Sequence, residues 1–555
     1  TTPNTVVNNN GGSGVTAGGG KGVPEKGSVK NNSDGTDIIT TPPLTPSTSS
    51  GPSYVAVSNV SIVQDDQLLE IGQTLQLTAA VSPANATNKK VTWTSSDETV
   101  ATVDSSGMVT AVGKGIASIT ATTVDGNRTD TITVTVPIVA EDAESLKKAI
   151  EEDADYGDII LLRAGKYQLK ETLVITKSIK ILGPQANVDP RPSVNSSRTD
   201  DKYEAILTGD KGDCGDYASQ NEAKNNGWLP SIFAIRADNV VINGLTLERT
   251  YNHIIYSDAS EISGLQILYN IVRYGRGNEG IKVNNCINPL VQYNYVYDIL
   301  SPGDAIEASE AKGFRILDNE IDGCNSVNGN INVSNLSGSE PGIIRGNTIR
   351  NTGYHFAINV SLGDKASGDV IIDSNIIENA KTGGIFVYKI QSVSEEKPAV
   401  IKITNNIINV YAGNPPQGTD YRETYLRESA SAIAVSYNLK SGIQPMVIIT
   451  GNTTANGGEG KPVLAFGGGT LDTQAIPTDL ARITVRGNTF DKLSVEFIKV
   501  MNENELDLSD NIWPEPEVQE NYNFMDNSVN DTIQDAVNEA NTEDILLEEP
   551  ETYNE

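Results

Sequence analysis

Histidine and cysteine are nearly missing from this 555-residue sequence, which holds two His, at 253 and 355, and three Cys, at 214, 286 and 324. An odd, sparse cysteine count without CxxC spacing excludes a disulfide framework and a thiolate metal site, and leaves stability to packing. No HExxH and no Ser-His-Asp order is visible. Basic residues are outnumbered 41 to 72, a net charge of −31, which argues against nucleic acid or an anionic membrane as partner. No apolar run reaches the roughly 18 residues that a membrane-spanning helix needs. The sequence opens Thr1-Thr2-Pro3 without Met, which reads as a chain freed of its leader or as an excised piece.

What is abundant is Asn followed by β-formers. The pattern returns at Asn270, Asn294, Asn319, Asn347, Asn375, Asn406, Asn452, Asn488 and Asn511, in steps of 24, 25, 28, 28, 31, 46, 36 and 23 residues. Short β-branched segments at such a period, without helical periodicity, mark a solenoid whose coils bury a shared interior. A second register follows most copies: Gly280-Ile281-Lys282-Val283, Ala305-Ile306-Glu307-Ala308, Asn330-Ile331-Asn332-Val333, Ala357-Ile358-Asn359-Val360, Gly384-Ile385-Phe386-Val387 and, after an inserted loop, Ala432-Ile433-Ala434-Val435. Alternation along a strand sends the Ile column into the lumen and turns Lys282, Glu307, Asn332, Asn359 and Phe386 outward. The Asn column is expected at bends, where Asn tolerates left-handed backbone and bonds to neighbouring coils.

These repeats, over about residues 141–513, resemble the pectate-lyase-like superfamily of secreted and cell-surface proteins. The resemblance implies an all-β chain built on a right-handed parallel β-helix. That fold hosts lyases, hydrolases, esterases, adhesins and inert scaffolds, so it does not by itself give a function.

The expected organisation has four parts. Residues 1–53, rich in Gly, Asn, Ser, Thr and Pro, read as a low-complexity linker. Residues 54–137 carry short alternating strands; the run Trp93-Thr94-Ser95-Ser96-Asp97-Glu98, then Val100-Ala101-Thr102-Val103, Gly107 and Gly113-Lys114-Gly115, resembles the bacterial immunoglobulin-like domain of group 2, with Trp93 in its core. Residues 138–520 are the β-helix, opened by a helix that Asp142 caps and that closes the end of the lumen. Residues 521–555 repeat that opening in altered form, Thr532-Ile533 to Val537 and then Ile545-Leu546-Leu547, and read as the start of a second β-helix in a longer protein or as a C-terminal cap.

For chemistry, the spacing of Glu307 and Lys312 is similar to the calcium ligand and base of the chondroitinase B and alginate lyase family. The resemblance implies a Ca2+ ion held by Asp304, Glu307 and Glu310, with Lys312 as base aided by Arg276 and Lys282. A uronan lyase needs a cation on the substrate carboxylate and a base for the C5 proton, and a Lys or Arg of lowered pKa can serve. The sequence departs from the pattern: Ala305 replaces the expected second carboxylate, and Asn332-Val333-Ser334 stands where an Arg is expected. The competing reading makes Lys282 and Glu307 a surface ion pair of little energetic consequence. Tyrosines offer a non-catalytic option. Tyr269, Tyr274, Tyr293, Tyr295 and Tyr297 fall on adjacent coils, and an inserted loop holds Tyr421 and Tyr425; Tyr274, Tyr295, Tyr421 and Tyr425 form, with Asn332, His355 and Asn359, the candidate ligand-binding set.

The sequence therefore points to an extracellular, modular bacterial surface protein. Its β-helix is a scaffold, array element or adhesive, carbohydrate-binding module for a polysaccharide or cell-wall component, able to self-associate along the solenoid. The alternative is a polysaccharide lyase or hydrolase acting on an acidic polysaccharide.

Overall fold

The computed structural model describes residues 53–512 apart from internal stretches, the longest being 411–430, 468–479 and 492–508. Three parallel sheets dominate it. The first, of 12 strands, runs from Ile138–Ala140 to Ile483–Arg486; the second, of 10, from Gly165–Gln168 to Thr453–Ala455; the third, of 10, from Leu173–Ile175 to Leu464–Gly467. Each coil gives one short strand to each sheet, and every pairing among these strands is parallel between successive coils, as in Ile281↔Ile306↔Ile331↔Ile358↔Ile385↔Ile433. This is a parallel β-helix. The right-handed coil implied by the resemblance is also the hand that parallel crossovers take in general.

The lumen is apolar and mainly aliphatic. Ile281, Ile306, Ile331, Ile358, Ile385 and Ile433 are fully buried, with Val283, Ala308, Val333, Val360 and Val387 beside them. Each fully buried Ile contributes roughly 1.5–3 kcal/mol, so the stacked column is the main source of cohesion between coils that could not stand alone.

Corners are built by a device the sequence pattern located but misread. The residue that takes the left-handed backbone is the one before each ladder Asn: Tyr269, Tyr293, Asp318, Ser374 and Asn405 have φ between 51° and 57°, and Gly346, Gly451 and Gly487 stand in the same place at 64–68°. The Asn itself turns inward and is buried. At Asn294 the backbone N–H donates to Asn319 Oδ1 at 3.0 Å, and Nδ2 donates to that same oxygen at 3.0 Å and to the Ile267 carbonyl of the previous coil at 2.8 Å. The arrangement repeats without a break from Asn270 to Asn511, even across the 46-residue step, where Asn406 N–H reaches Asn452 Oδ1 at 3.0 Å. Asn is required here because one short side chain must accept twice and donate twice to backbone and amide groups that water cannot reach.

Both ends of the sequence argument meet at the N-terminal side of the coil. The helix Ala143–Lys148 starts at Asp142, whose carboxylate accepts from Ser145 N–H while Ser145 Oγ accepts from the Asp142 N–H, a reciprocal capping box. It continues as a π-turn over Ala149–Asp153, and buried Leu146, Ala149 and Ile150 close the lumen. Ahead of it lies a β-sandwich with a four-stranded sheet (Gln67–Leu68, Thr129–Val136, Gly115–Thr123, Val91–Ser95), antiparallel but for its first pair, and an antiparallel three-stranded one (Thr74–Gln76, Met108–Ala111, Ala101–Val103). Trp93 packs against its core. Gly107, at φ +86°, is required beneath that ring: a Cβ there would stand 2.9 Å from the indole. Only Pro137 separates the last sandwich strand from Ile138–Ala140, the first strand of the first solenoid sheet. Lys114 Nζ spans the joint to Asp155 at 2.7 Å and Asp158 at 3.0 Å, and Arg163 pairs with Glu70.

Candidate functional site

The third sheet presents its outward row in register on successive coils: Tyr256, Lys282, Glu307, Asn332, Asn359 and Phe386. Alternation puts a second outward row two residues on, Asn284, Ser309 and Ser334. These side chains turn away from the lumen, yet Glu307, Asn332, Asn359 and Phe386 are buried. The row is thus a covered polar seam rather than an open surface, and Lys282–Glu307, expected as a surface pair, lies largely out of solvent.

At the start of this seam three carboxylates converge. Oxygens of Glu279, Asp304 and Glu307 lie within 4.8 Å of one another. Lys282 Nζ donates to Glu307 Oε2 at 2.6 Å and stands 3.5 Å from Glu279 Oε2, and His253 Nδ1 lies 2.5 Å from Glu279 Oε2. Glu279 and Asp304 occupy equivalent places, each three residues before the outward residue of its strand, so one coil stacks its acid over the next. Sequence reasoning missed Glu279; the usable signal was its position one residue before the Gly280-Ile281-Lys282-Val283 register.

Environment pushes these acids apart. Burial raises the Asp304 carboxyl to about 8, against the pull of its bond to Ser326 and with help from neighbouring Glu307 and Glu279. Ser326 Oγ donates to Asp304 Oδ1 at 2.5 Å, accepts from Gly329 N–H at 2.8 Å and lies 2.9 Å from the Gly329 carbonyl. Asn332 Nδ2 donates to the other Asp304 oxygen at 2.8 Å. Burial, then the adjacent Glu279, raise Glu307. Burial also works to raise Glu279, but His253 and Lys282 outweigh it and hold it below the usual carboxylate range. Burial opposes the charge on Lys282, but the two glutamates overcome that and raise its pKa.

Of the calcium set implied by the resemblance, Asp304 and Glu307 come together, joined by Glu279, in a group of carboxylates that could hold a metal ion. Glu310 does not join them: it is exposed on a left-handed bend (φ 53°). Both Asp304 oxygens are engaged by Ser326 and Asn332, and an ammonium group stands against Glu307. The three cations proposed for base catalysis are separated as well. Lys312 turns to Glu261 at 2.5 Å. Arg276, buried, bonds the Tyr217, Gly275 and Asp298 carbonyls and pairs with the Asp298 carboxylate at 3.1 Å. Only Lys282 belongs to the carboxylate cluster, and its raised pKa keeps it charged.

Of the ligand-binding set, Asn332 and Asn359 lie side by side on the seam, with Asn359 Nδ2 donating to Asn332 Oδ1 at 3.0 Å. His355 stands edge-on to Phe356, whose ring stacks on Phe386 at 4.8 Å, just beyond Asn359. Tyr295 is on another sheet. It stacks on Tyr297 at 4.6 Å on the second sheet, and Tyr274 meets Tyr297 edge-on at 5.6 Å with the Arg249 and Arg273 guanidiniums near its ring. The two tyrosines and the two asparagines therefore do not build one site. Tyr421, Tyr425 and Cys214 lie outside the described residues.

Comparison with known proteins decides one part of the chain. Residues 56–134 match the family model of the bacterial Ig-like domain (group 2). They form a group 2 Ig-like domain. Relatives over a stretch of about that length include a lacto-N-biosidase of Bifidobacterium bifidum, 48% identical over 90 residues, 16% of this chain and 8% of that protein. A kappa-carrageenase of Pseudoalteromonas carrageenovora is 43% identical over 83 residues, 15% of this chain and 21% of its own length. An Ig-like virion protein of Serratia phage KSP90 is 45% identical over 83 residues, 15% of this chain and 32% of that protein. The chain spans less than a third of the length of each. Among solved structures, a family 28 exopolygalacturonase of Yersinia enterocolitica aligns over 74% of this chain and 86% of its own at 13% identity and a TM-score of 0.35. Pectate lyase Pel9A aligns over 69% and 77% at 13% identity and a TM-score of 0.30. Among the described residues, no helix is long and apolar enough to cross a membrane.

Proposed function

We propose that this chain is an extracellular, carbohydrate-directed modular protein whose β-helix binds a polysaccharide along the outer face of the third sheet. The observation that carries the reading is the seam itself. Lys282, Glu307, Asn332 and Asn359 stand one per coil, hydrogen-bonded across coils, and end at the stacked Phe356 and Phe386 rings. A row of polar groups repeating at the strand spacing of about 4.8 Å suits a linear chain of sugar rings laid along the solenoid, reached from the partly exposed Lys282 end because Asn332, Asn359, Phe356 and Phe386 are buried. Group 2 Ig-like sequences similar to this one occur in proteins named as glycosidases and a carrageenase, which supports a carbohydrate setting for the module. The test is affinity electrophoresis of the full chain in gels containing soluble polysaccharides. Retardation by at least one, absent for a β-helix variant altered at Asn332, is the expected result; free migration through all of them would overturn the reading.

A second reading is favoured by the opposite pKa shifts of Glu279 and Glu307. Two neighbouring carboxyls whose surroundings shift them in opposite directions are the arrangement from which a base and an acid are drawn in glycoside cleavage. Should the protein turn over its ligand, hydrolysis at this pair is the chemistry expected, measured as new reducing ends. Elimination, measured as ultraviolet absorbance of an unsaturated uronate, has no support from Lys312, which is engaged with Glu261.

A further inference from the structure

We infer that the ligand of this seam is a neutral, hydroxyl-rich saccharide and not a uronan; the inference rests on the carbohydrate reading above and narrows it. The first ground is the balance of charge. Among the described residues of the seam and its carboxylate cluster, the cations are already committed. Lys282 faces both Glu307 and Glu279, and the neighbouring Arg236 is paired with Asp258. With Asp304 protonated, two glutamates stand against one ammonium, on a chain whose net charge is −31. A polymer carrying a carboxylate on every residue would meet repulsion at short and long range, with no cation to receive it.

The second ground is independent of charge. The amide relay along the seam runs one way: Asn359 Nδ2 donates to Asn332 Oδ1, and Asn332 Nδ2 donates to Asp304 Oδ2. It leaves Asn359 Oδ1, in a side chain more than nine-tenths buried, without a hydrogen-bond partner. The next position in the row is Phe386, which offers no donor. Buried acceptors are rarely left so, because the lost hydrogen bond is not regained from water. A sugar hydroxyl is a donor of the right kind; uronans carry hydroxyls too, so this ground argues for a saccharide and the balance of charge for a neutral one. The adjoining Ser309 and Ser334 hydroxyls, 2.9 Å apart, extend the same neutral character to the second outward row.

The experiment compares the full chain, at low ionic strength, against a neutral set (xylan, galactomannan, β-glucan) and an acidic set (polygalacturonate, alginate) by affinity electrophoresis. Retardation by a neutral polymer is expected, with none by either uronan. Asn359→Ala should weaken the neutral interaction about tenfold, and Ser334→Ala more mildly, both remaining cooperatively folded at the temperature of the assay. Retardation by a uronan in preference to every neutral polymer, abolished in Asn359→Ala, would overturn the inference while leaving carbohydrate binding standing. Retardation by none would overturn both. Neutral binding indifferent to Asn359→Ala and Ser334→Ala alike would also overturn it, by placing the ligand elsewhere.

Discussion

Two columns of buried polar side chains climb the same solenoid, and they are finished differently. In the corner column, each amide from Asn294 to Asn488 repeats one pattern: it donates to the next Asn and to a carbonyl of the previous coil, and accepts twice from the Asn before it. In the outward row of the third sheet, Lys282, Glu307, Asn332 and Asn359 differ from coil to coil, include a charge cluster, and end on an acceptor with nothing to receive. A column whose members are identical and saturated sets register. One whose members vary and are incompletely satisfied is where the proposed ligand would meet the fold. Burial of polar groups alone does not distinguish the two; completeness of their bonding does.

The largest effect is expected where neither column is touched. Ile306→Asp places a carboxylate in the apolar lumen, at a cost of several kcal/mol with no partner to offset it. Cooperative unfolding of the β-helix, followed by circular dichroism, should be lost; a normal transition would contradict the assigned register.

The next pair of variants breaks the comparison directly. Asn347→Ala removes the acceptor for Asn319 N–H and Nδ2 and the donor to the Ile316 carbonyl. Leaving such groups buried and unmatched should cost roughly 3 kcal/mol. Asn359→Ala removes a single donor, to Asn332 Oδ1, and should cost at most about 1 kcal/mol. Urea midpoints that fall equally for both would erase the distinction between the columns.

A smaller, pH-dependent effect belongs to Asp304. Its folded pKa of about 8 lies above its ordinary value of 3.8. Between those limits the folded state holds a proton that the unfolded state has released, so stability falls as pH rises, by up to about 1.4 kcal/mol per unit from this group. Below pH 3.8 both states are protonated and the contribution is complete. Asp304→Asn, which keeps an uncharged side chain at every pH, should flatten the decline between pH 5 and 8, read from urea unfolding at each pH; a decline as steep as the wild type's would mean that Asp304 is ionised in the fold. The smallest effect is reserved for Lys312→Ala, which loses a partly exposed pair with Glu261 and should change stability by less than about 0.5 kcal/mol and leave polysaccharide binding intact.

Much of the frame was legible in the sequence because solenoid physics writes itself locally. A lumen residue repeats once per coil, so the Ile register could be read by counting, and Asp142 announced the capping helix by its place before an apolar face. The corner was only half legible. A run such as Tyr293-Asn294 fixes a bend, but which of the two carries the left-handed backbone depends on the neighbouring coil's amide, which a linear reading does not supply. The site was less legible still. Lys312 follows Glu307 by five residues, yet a bend lies between them and sends the lysine to Glu261; Glu279 and Asp304 are 25 residues apart and meet because one coil intervenes. Contacts across coils are set by loop length, which the sequence varies freely, whereas contacts within a coil are set by strand alternation, which it cannot.

The account's central claim, that the corner column builds the coil while the outward row of the third sheet meets the ligand, is tested most directly by running Asn332→Ala and Asn347→Ala side by side in neutral-polysaccharide affinity gels, well below either melting temperature. The prediction is that Asn332→Ala migrates freely while Asn347→Ala, although less stable, is retarded like the wild type. Equal retardation of Asn332→Ala and the wild type, or loss of retardation in Asn347→Ala alone, would contradict it.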